Sequence, residues 1–193
     1  DGQLAQPGEV LHRKDVLAVR SNFRPATRRH EDMFRAGLAA FDGHSEDVLP
    51  VAEMTMATVM EDGVHVDNAD FLARVDTLTA LGYHVLVSDY LRYFRLRAFL
   101  RRYTQGRIGI VVRLDNLRDI FNPEFYSSLE GGILEAFGRL FCDQTSMYVY
   151  PGRAGDGSLI TADDFIPDPE VHHIYRHLQE QGRILPLPGF SPE

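Results

Sequence analysis

The chain reads as a three-layer α/β domain with a mostly parallel, Rossmann-like sheet of about five strands and an edge β-hairpin. Three observations predict this. Short apolar runs (VLAVRSN at 16–22, VLPVAEMT at 48–55, HVLVSD at 84–89, RIGIVVRL at 107–114) alternate with segments whose apolar residues recur at helical spacing. The runs are almost continuously apolar, as strands covered on both faces should be. Strand–helix alternation in turn implies parallel pairing through crossover helices.

The elements follow in order. Residues 1–15 are polar, carry Pro7-Gly8, and read as an extended arm. After the first strand, Pro25 interrupts, and Met33, Phe34, Leu38 and Phe41 outline a helix over 30–41. The second strand precedes a helix over 67–81, marked by Phe71, Leu72, Val75, Leu78 and Leu81, with Gly82 as a natural stop. The third strand leads into an Arg-rich helix over 90–104. Its apolar residues fall on two sides: Tyr93, Leu96, Leu100 and Tyr103 on one, Leu91, Phe94 and Ala98 on the other. One side should meet the sheet and the other a further element. Asn122-Pro123 opens a long helix over 123–141, with Asn as cap and Pro at the first helical position. MYVYP at 147–151 gives the fifth strand. SLIT at 158–161 pairs with it across a turn centred on Asp156-Gly157. A helix over 168–182 and a Pro-rich tail over 184–193 complete a single α/β domain spanning 16–183. The first residue, Asp1, and the Pro-rich close suggest a piece of a longer protein.

Composition bounds the function. Of 193 residues, 44% are hydrophobic and 25% charged, ordinary for a globular chain. The net charge of −8 argues against a nucleic-acid partner, which calls for a basic footprint. No apolar run approaches the ~20 residues that cross a bilayer, so no membrane partner is expected. One cysteine, Cys142, excludes an internal disulfide and fits a reducing, cytoplasmic setting.

Ligands of open α/β sheets bind beyond the carboxyl ends of the strands. The residues placed there are Asn22 and Arg24, then Glu53 and Thr55, then Ser88, Asp89 and Tyr90, then Arg113, Asp115 and Asn116, then Tyr150 and Arg153. The candidate ligand-binding set is Arg24, Glu53, Ser88, Asp89, Arg113, Asp115 and Asn116. Glu53, Asp89 and Asp115 would converge on one rim and could hold a magnesium ion, which prefers hard oxygen ligands. Arg24 and Arg113 would meet a phosphate or carboxylate. Asp89 and Asn116 also stand where helix caps belong, a purely local role. Glu130 falls inside the apolar arc of the 123–141 helix. A buried acid there would be functional or would anchor an arginine. The chain has no GxGxxG, P-loop or GxSxG motif. His173 and His177 are spaced i, i+4 without a third ligand.

The runs SNFRP (21–25), DFLARVDTLTALGYHVLVSDYLRYFRLRAFLRRYTQGRIGIVV (70–112), LRDIF (117–121), FYSSLEGGILEAFGRLF (125–141) and MYVYP (147–151) resemble a bacterial family. Its members are labelled TonB-dependent receptor or nicotinate-nucleotide adenylyltransferase. The resemblance covers nearly the whole chain and implies that this is the C-terminal half of a longer protein. It carries over no catalytic residue, because a Gly-rich turn with an HxGH-like pair is absent from these residues. Two functions stay open: binding or acting on a phosphorylated, nucleotide-like small molecule at the rim, or an interaction module that forms a homodimer or docks on its own N-terminal half.

Overall fold

The computed structural model describes residues 4–41, 48–56 and 68–188. Residues 1–3 of the expected arm, position 67 of the expected second helix and 189–193 of the expected tail lie outside them. Among the described residues the order is α1 (Pro7–Val10), β1 (Asp15–Arg20), α2 (Arg28–Ala40), β2 (Val48–Thr55), α3 (Asn68–Ala80), β3 (His84–Ser88), α4 (Tyr93–Arg101), β4 (Ile108–Arg113), α5 (Leu114–Ile120) and a 3-10 turn at Pro123–Tyr126. There follow α6 (Gly132–Leu140), β5 (Thr145–Tyr150), β6 (Gly152–Arg153), β7 (Leu159–Ile160), a 3-10 turn at Ala162–Asp164, α7 (His172–Glu180) and β8 (Ile184–Pro186).

The central sheet is parallel throughout, in the order β3-β2-β1-β4-β5-β8. This is the doubly wound order of Rossmann-like sheets, with the topological switch between β1 and β4. Successive side chains on a strand point to opposite faces, and the two cores divide accordingly. Leu17, Val19, Ala52, Met54, Val111, Tyr148 and Tyr150 share one face with α2 and α3. Val16, Ala18, Val51, Ile110, Val112, Met147 and Val149 share the other with α4, α5, α6 and α7. α2 crosses the switch closely. A Cβ on Gly37 would come within 2.8 Å of Val111, and one on Gly109 within 2.7 Å of Phe41. Both positions therefore need glycine for packing.

Five expectations change. The arm expected to be extended carries the short helix α1, with Pro7 pre-set for its first turn. The sheet has six strands rather than five, because Ile184–Pro186, expected within the tail, pairs in parallel with β5. Its proline is tolerated because β8 is an edge strand, where a missing N–H leaves no partner wanting. The hairpin is not an extension of that sheet. Gly152–Arg153 and Leu159–Ile160 form their own two-stranded ribbon after β5 ends. β3 is the opposite edge and is only partly covered, with Val87 41% exposed.

The largest change is the helix expected over 123–141, which is broken. A 3-10 turn ends at Tyr126, and α6 starts only at Gly132, whose φ of +54° lies in the left-handed region that favours glycine. The break carries Glu130 out of the apolar arc into solvent. The expected buried acid is therefore an exposed loop residue. α6 packs on the second apolar side of α4 and buries Phe94, while Leu91 and Ala98 stay exposed. Part of the further element expected there therefore lies in this same chain.

Candidate functional site

The carboxyl rim has two parts with different chemistry. Under β1, β2 and β3 lies a closed polar network. Arg20 and Glu53 are residues i and j of adjacent strands in register, and both side chains point to the α4 face. Glu53 is fully buried. Arg20 Nε donates to Glu53 Oε2 at 2.5 Å and Nη2 to Oε1 at 3.2 Å. Two of the three remaining guanidinium protons go to the carbonyls of Leu91 (3.0 Å) and Tyr90 (2.7 Å), so every nitrogen of the group has a partner. Ser88 Oγ donates to Glu53 Oε1, and accepts from the Tyr90 amide at 3.2 Å. Tyr93 lies under the guanidinium, 4.4 Å from its ring centroid to Arg20 Cζ. Burial pushes the Tyr93 phenol up to about 12, against a smaller opposing pull from Arg20. A buried ion pair with its hydrogen bonds satisfied is stable but has little left to offer a ligand. Glu53 and Ser88 thus fix the chain turn from β3 into α4.

The second part is the crevice at the switch point. After β1 the chain runs Ser21-Asn22-Phe23-Arg24-Pro25 into α2. Phe23 is wholly buried and packs against the His30 ring at 4.8 Å. His30 Nδ1 accepts from the Thr27 amide at 3.0 Å, and its Nε2 lies 2.9 Å from Ser21 Oγ. A neutral ring whose Nδ1 accepts carries its proton on Nε2. His30 therefore donates to Ser21 and is not placed to take its proton. Arg74, on α3, donates to the Asn22 carbonyl at 3.1 Å, and Arg24 pairs with Asp70 at 3.5 Å. From β4, Arg113 points outward, half-exposed and paired with the exposed Asp115 at 2.6 Å. The Asn116 side chain accepts from the Arg113 amide at 3.2 Å, a helix-capping bond. Beneath, Tyr150 at the end of β5 donates to the buried Asp32 at 2.5 Å, tying α2 to the sheet.

The structure thus sorts the expected residues. Arg24 lies in the loop after β1 and pairs with Asp70 of α3, while Arg113, Asp115 and Asn116 stand at the end of β4 and the start of α5. Glu53 and Ser88 are internal, and Asp89 is exposed on the β3 side. The three carboxylates expected to hold magnesium do not converge. Glu53 is taken up by Arg20, Asp115 by Arg113, and among the described residues no group of three His, Cys, Asp or Glu is placed to hold a metal. Arg153 belongs to the small hairpin and donates to the Gly157 carbonyl at 2.9 Å. The sequence reading missed Arg20, Ser21, His30, Asp32 and Arg74. One signal was available: Arg20 and Glu53 are opposite charges, each set inside an otherwise apolar strand. Among the described residues no helix is long and apolar enough to cross a membrane.

Comparison with protein-family models, with curated proteins and with solved structures finds no match to this chain.

Proposed function

We propose that this is a small-molecule-binding domain that takes a phosphorylated or otherwise anionic ligand at the crevice between the carboxyl ends of β1 and β4. The observation that supports it is the strand order, which puts the switch point between β1 and β4, with Arg24 in the loop after β1 and Arg113 at the end of β4. Guanidinium groups meet phosphate or carboxylate in a two-pronged geometry. Both present partners, Asp70 and Asp115, are partly solvated. Exchanging an exposed carboxylate for a ligand anion costs little, because exposed pairs contribute about 0–1 kcal/mol. The ligand is not a dinucleotide bound in the usual way. Where a dinucleotide fold has glycines after the first strand, this loop has Phe23, Arg24 and Pro25.

A thermal-shift series with nucleoside monophosphates and sugar phosphates, with and without magnesium, tests the reading. A ligand at 100 times its dissociation constant adds about 2.7 kcal/mol to stability. The expected result is a shift that disappears in Arg113→Ala. A shift that survives both Arg113→Ala and Arg24→Ala overturns the assignment.

The second reading is an interaction module that pairs with a second copy or with another region of a longer chain. Leu91 and Leu134, 53% and 66% exposed on the mutually packed α4 and α6 region, support it. Under it, Leu91→Ser with Leu134→Ser lowers the sedimenting mass and leaves anion binding intact.

A further inference from the structure

Away from the rim, α4 and the end of α6 enclose a cleft of about 390 Å³, within the usual range for small-molecule sites. It lies on the face of the sheet covered by α4 and α6, and neither Arg24 nor Arg113 lines it. Arg101, in the last turn of α4, donates to the Gly106 carbonyl at 2.8 Å, just ahead of β4.

The cleft combines an apolar floor with a cationic wall. Phe94, Ala98 and Leu129 supply the first, and Arg95, Arg97 and Arg139 the second. Among the described residues no carboxylate lines it, although the whole chain carries a net charge of −8. Two acids stand next to it. Asp143, 62% exposed, accepts from Arg97, and Glu135 pairs with Arg139 at 2.6 Å. Neither exhausts the arginines. Arg97 is 8% exposed, and its Nε has no hydrogen-bond partner among the described residues. Nε and Nη2 of the neighbouring Arg101 are likewise without one. Burial and the adjacent Arg97 charge both push the Arg101 guanidinium below its ordinary value. Buried donors normally find acceptors, and one left over calls for an explanation. These nitrogens have almost no accessible surface of their own, so a ligand would meet the outer edges of the Arg95, Arg97 and Arg139 guanidiniums, which stand around the apolar floor.

We propose that the α4–α6 cleft is a second ligand site, for a small amphiphilic anion: an acid head on the Arg95, Arg97 and Arg139 guanidiniums and a hydrocarbon or ring body over Phe94, Ala98 and Leu129. The head group is a carboxylate or a phosphate, and the two are separated by the test.

Cys142 lines the cleft and is the only cysteine of the chain, so its alkylation reports occupancy directly. The probe is the rate of iodoacetamide labelling of the whole protein with octanoate, octyl phosphate, octanol or acetate. An amphiphilic anion at ten times its dissociation constant should slow labelling about tenfold by mass action. Octanol and acetate, each lacking one half of the ligand, should leave the rate unchanged. Whichever anion protects at the lower concentration identifies the head group. Arg95→Ala with Arg139→Ala, both exposed side chains, should abolish protection, with the melting temperature of the unliganded protein as the folding control, whereas Arg113→Ala should not abolish it. Equal protection by octanol, protection that survives the double variant, or no protection by either anion overturns the proposal.

Discussion

Arg20 and Arg97 invite comparison. Each is more than nine-tenths buried, and each meets a carboxylate, Arg20 from an apolar strand and Arg97 from the Arg-rich helix α4. Arg20 faces a fully buried acid and two carbonyls, and its network closes on itself. Arg97 faces an exposed acid, and its buried Nε has no partner among the described residues. Burial of a charge therefore does not mark a site. What separates the two arginines is whether every guanidinium nitrogen finds a partner among the described residues. The closed network holds the chain together, and the other leaves a buried nitrogen unused.

The comparison can be broken in several ways. The largest expected effect is at Glu53→Gln, which leaves the Arg20 charge buried without its counter-ion. Losing one partner of a buried pair costs about 3–5 kcal/mol, measured by chemical denaturation. A loss below about 1 kcal/mol, the range of exposed pairs, would make the rim network incidental. Next is Gly132→Ala, at the left-handed residue that starts the α6 wall of the cleft. It should cost about 1–2 kcal/mol and leave the rim untouched. Arg97→Met should cost no more than about 1 kcal/mol, since its acid is mostly solvated. A cost equal to that of Glu53→Gln would erase the distinction.

The smallest effect is a pH dependence. The Tyr93 phenol is raised from 10 to about 12, so the folded state holds that proton more tightly than the unfolded one. Its contribution is complete below pH 10 and is lost as pH rises through 12. Burial raises the Tyr126 and Tyr175 phenols in the same direction. Tyr93→Phe should flatten the fall in melting temperature above pH 10. An unchanged slope would mean that the phenol beneath Arg20 contributes nothing to it.

Much of the fold was legible in the sequence because the information is local. Four apolar runs with helical segments between them require a parallel sheet, and Gly82 closes its helix as its position suggests, with φ of +86°. The errors arose where a tertiary partner or a single backbone angle decides. Ile184 and Leu185 look like part of a tail until β5 offers them an edge. Gly131-Gly132 looks like a weak point within one helix, and the left-handed φ at Gly132 turns it into a break, which moves Glu130 to the surface. At the site, positions could be read but directions could not. Glu53 was expected at the rim beyond its strand but lies inside β2, and its facing charge, Arg20, is 33 residues away and was read as part of an apolar run. The cleft was less legible still, since it needs α4 and the end of α6 side by side.

The position of β1 has a consequence for synthesis. It is a central strand, paired with β2 on one side and β4 on the other. On a growing chain the β2 partner follows soon, but β4 does not begin until Ile108. At about 5–20 residues per second, roughly 4–18 s separate the completion of β1 from the arrival of its second neighbour. During that interval the nascent half-sheet presents one apolar, hydrogen-bond-hungry edge, the kind of surface that recruits stray strands. The ribosome and whatever chaperones attend it must shield that edge, and slowing elongation between β3 and β4 should raise the fraction of chain that misassembles.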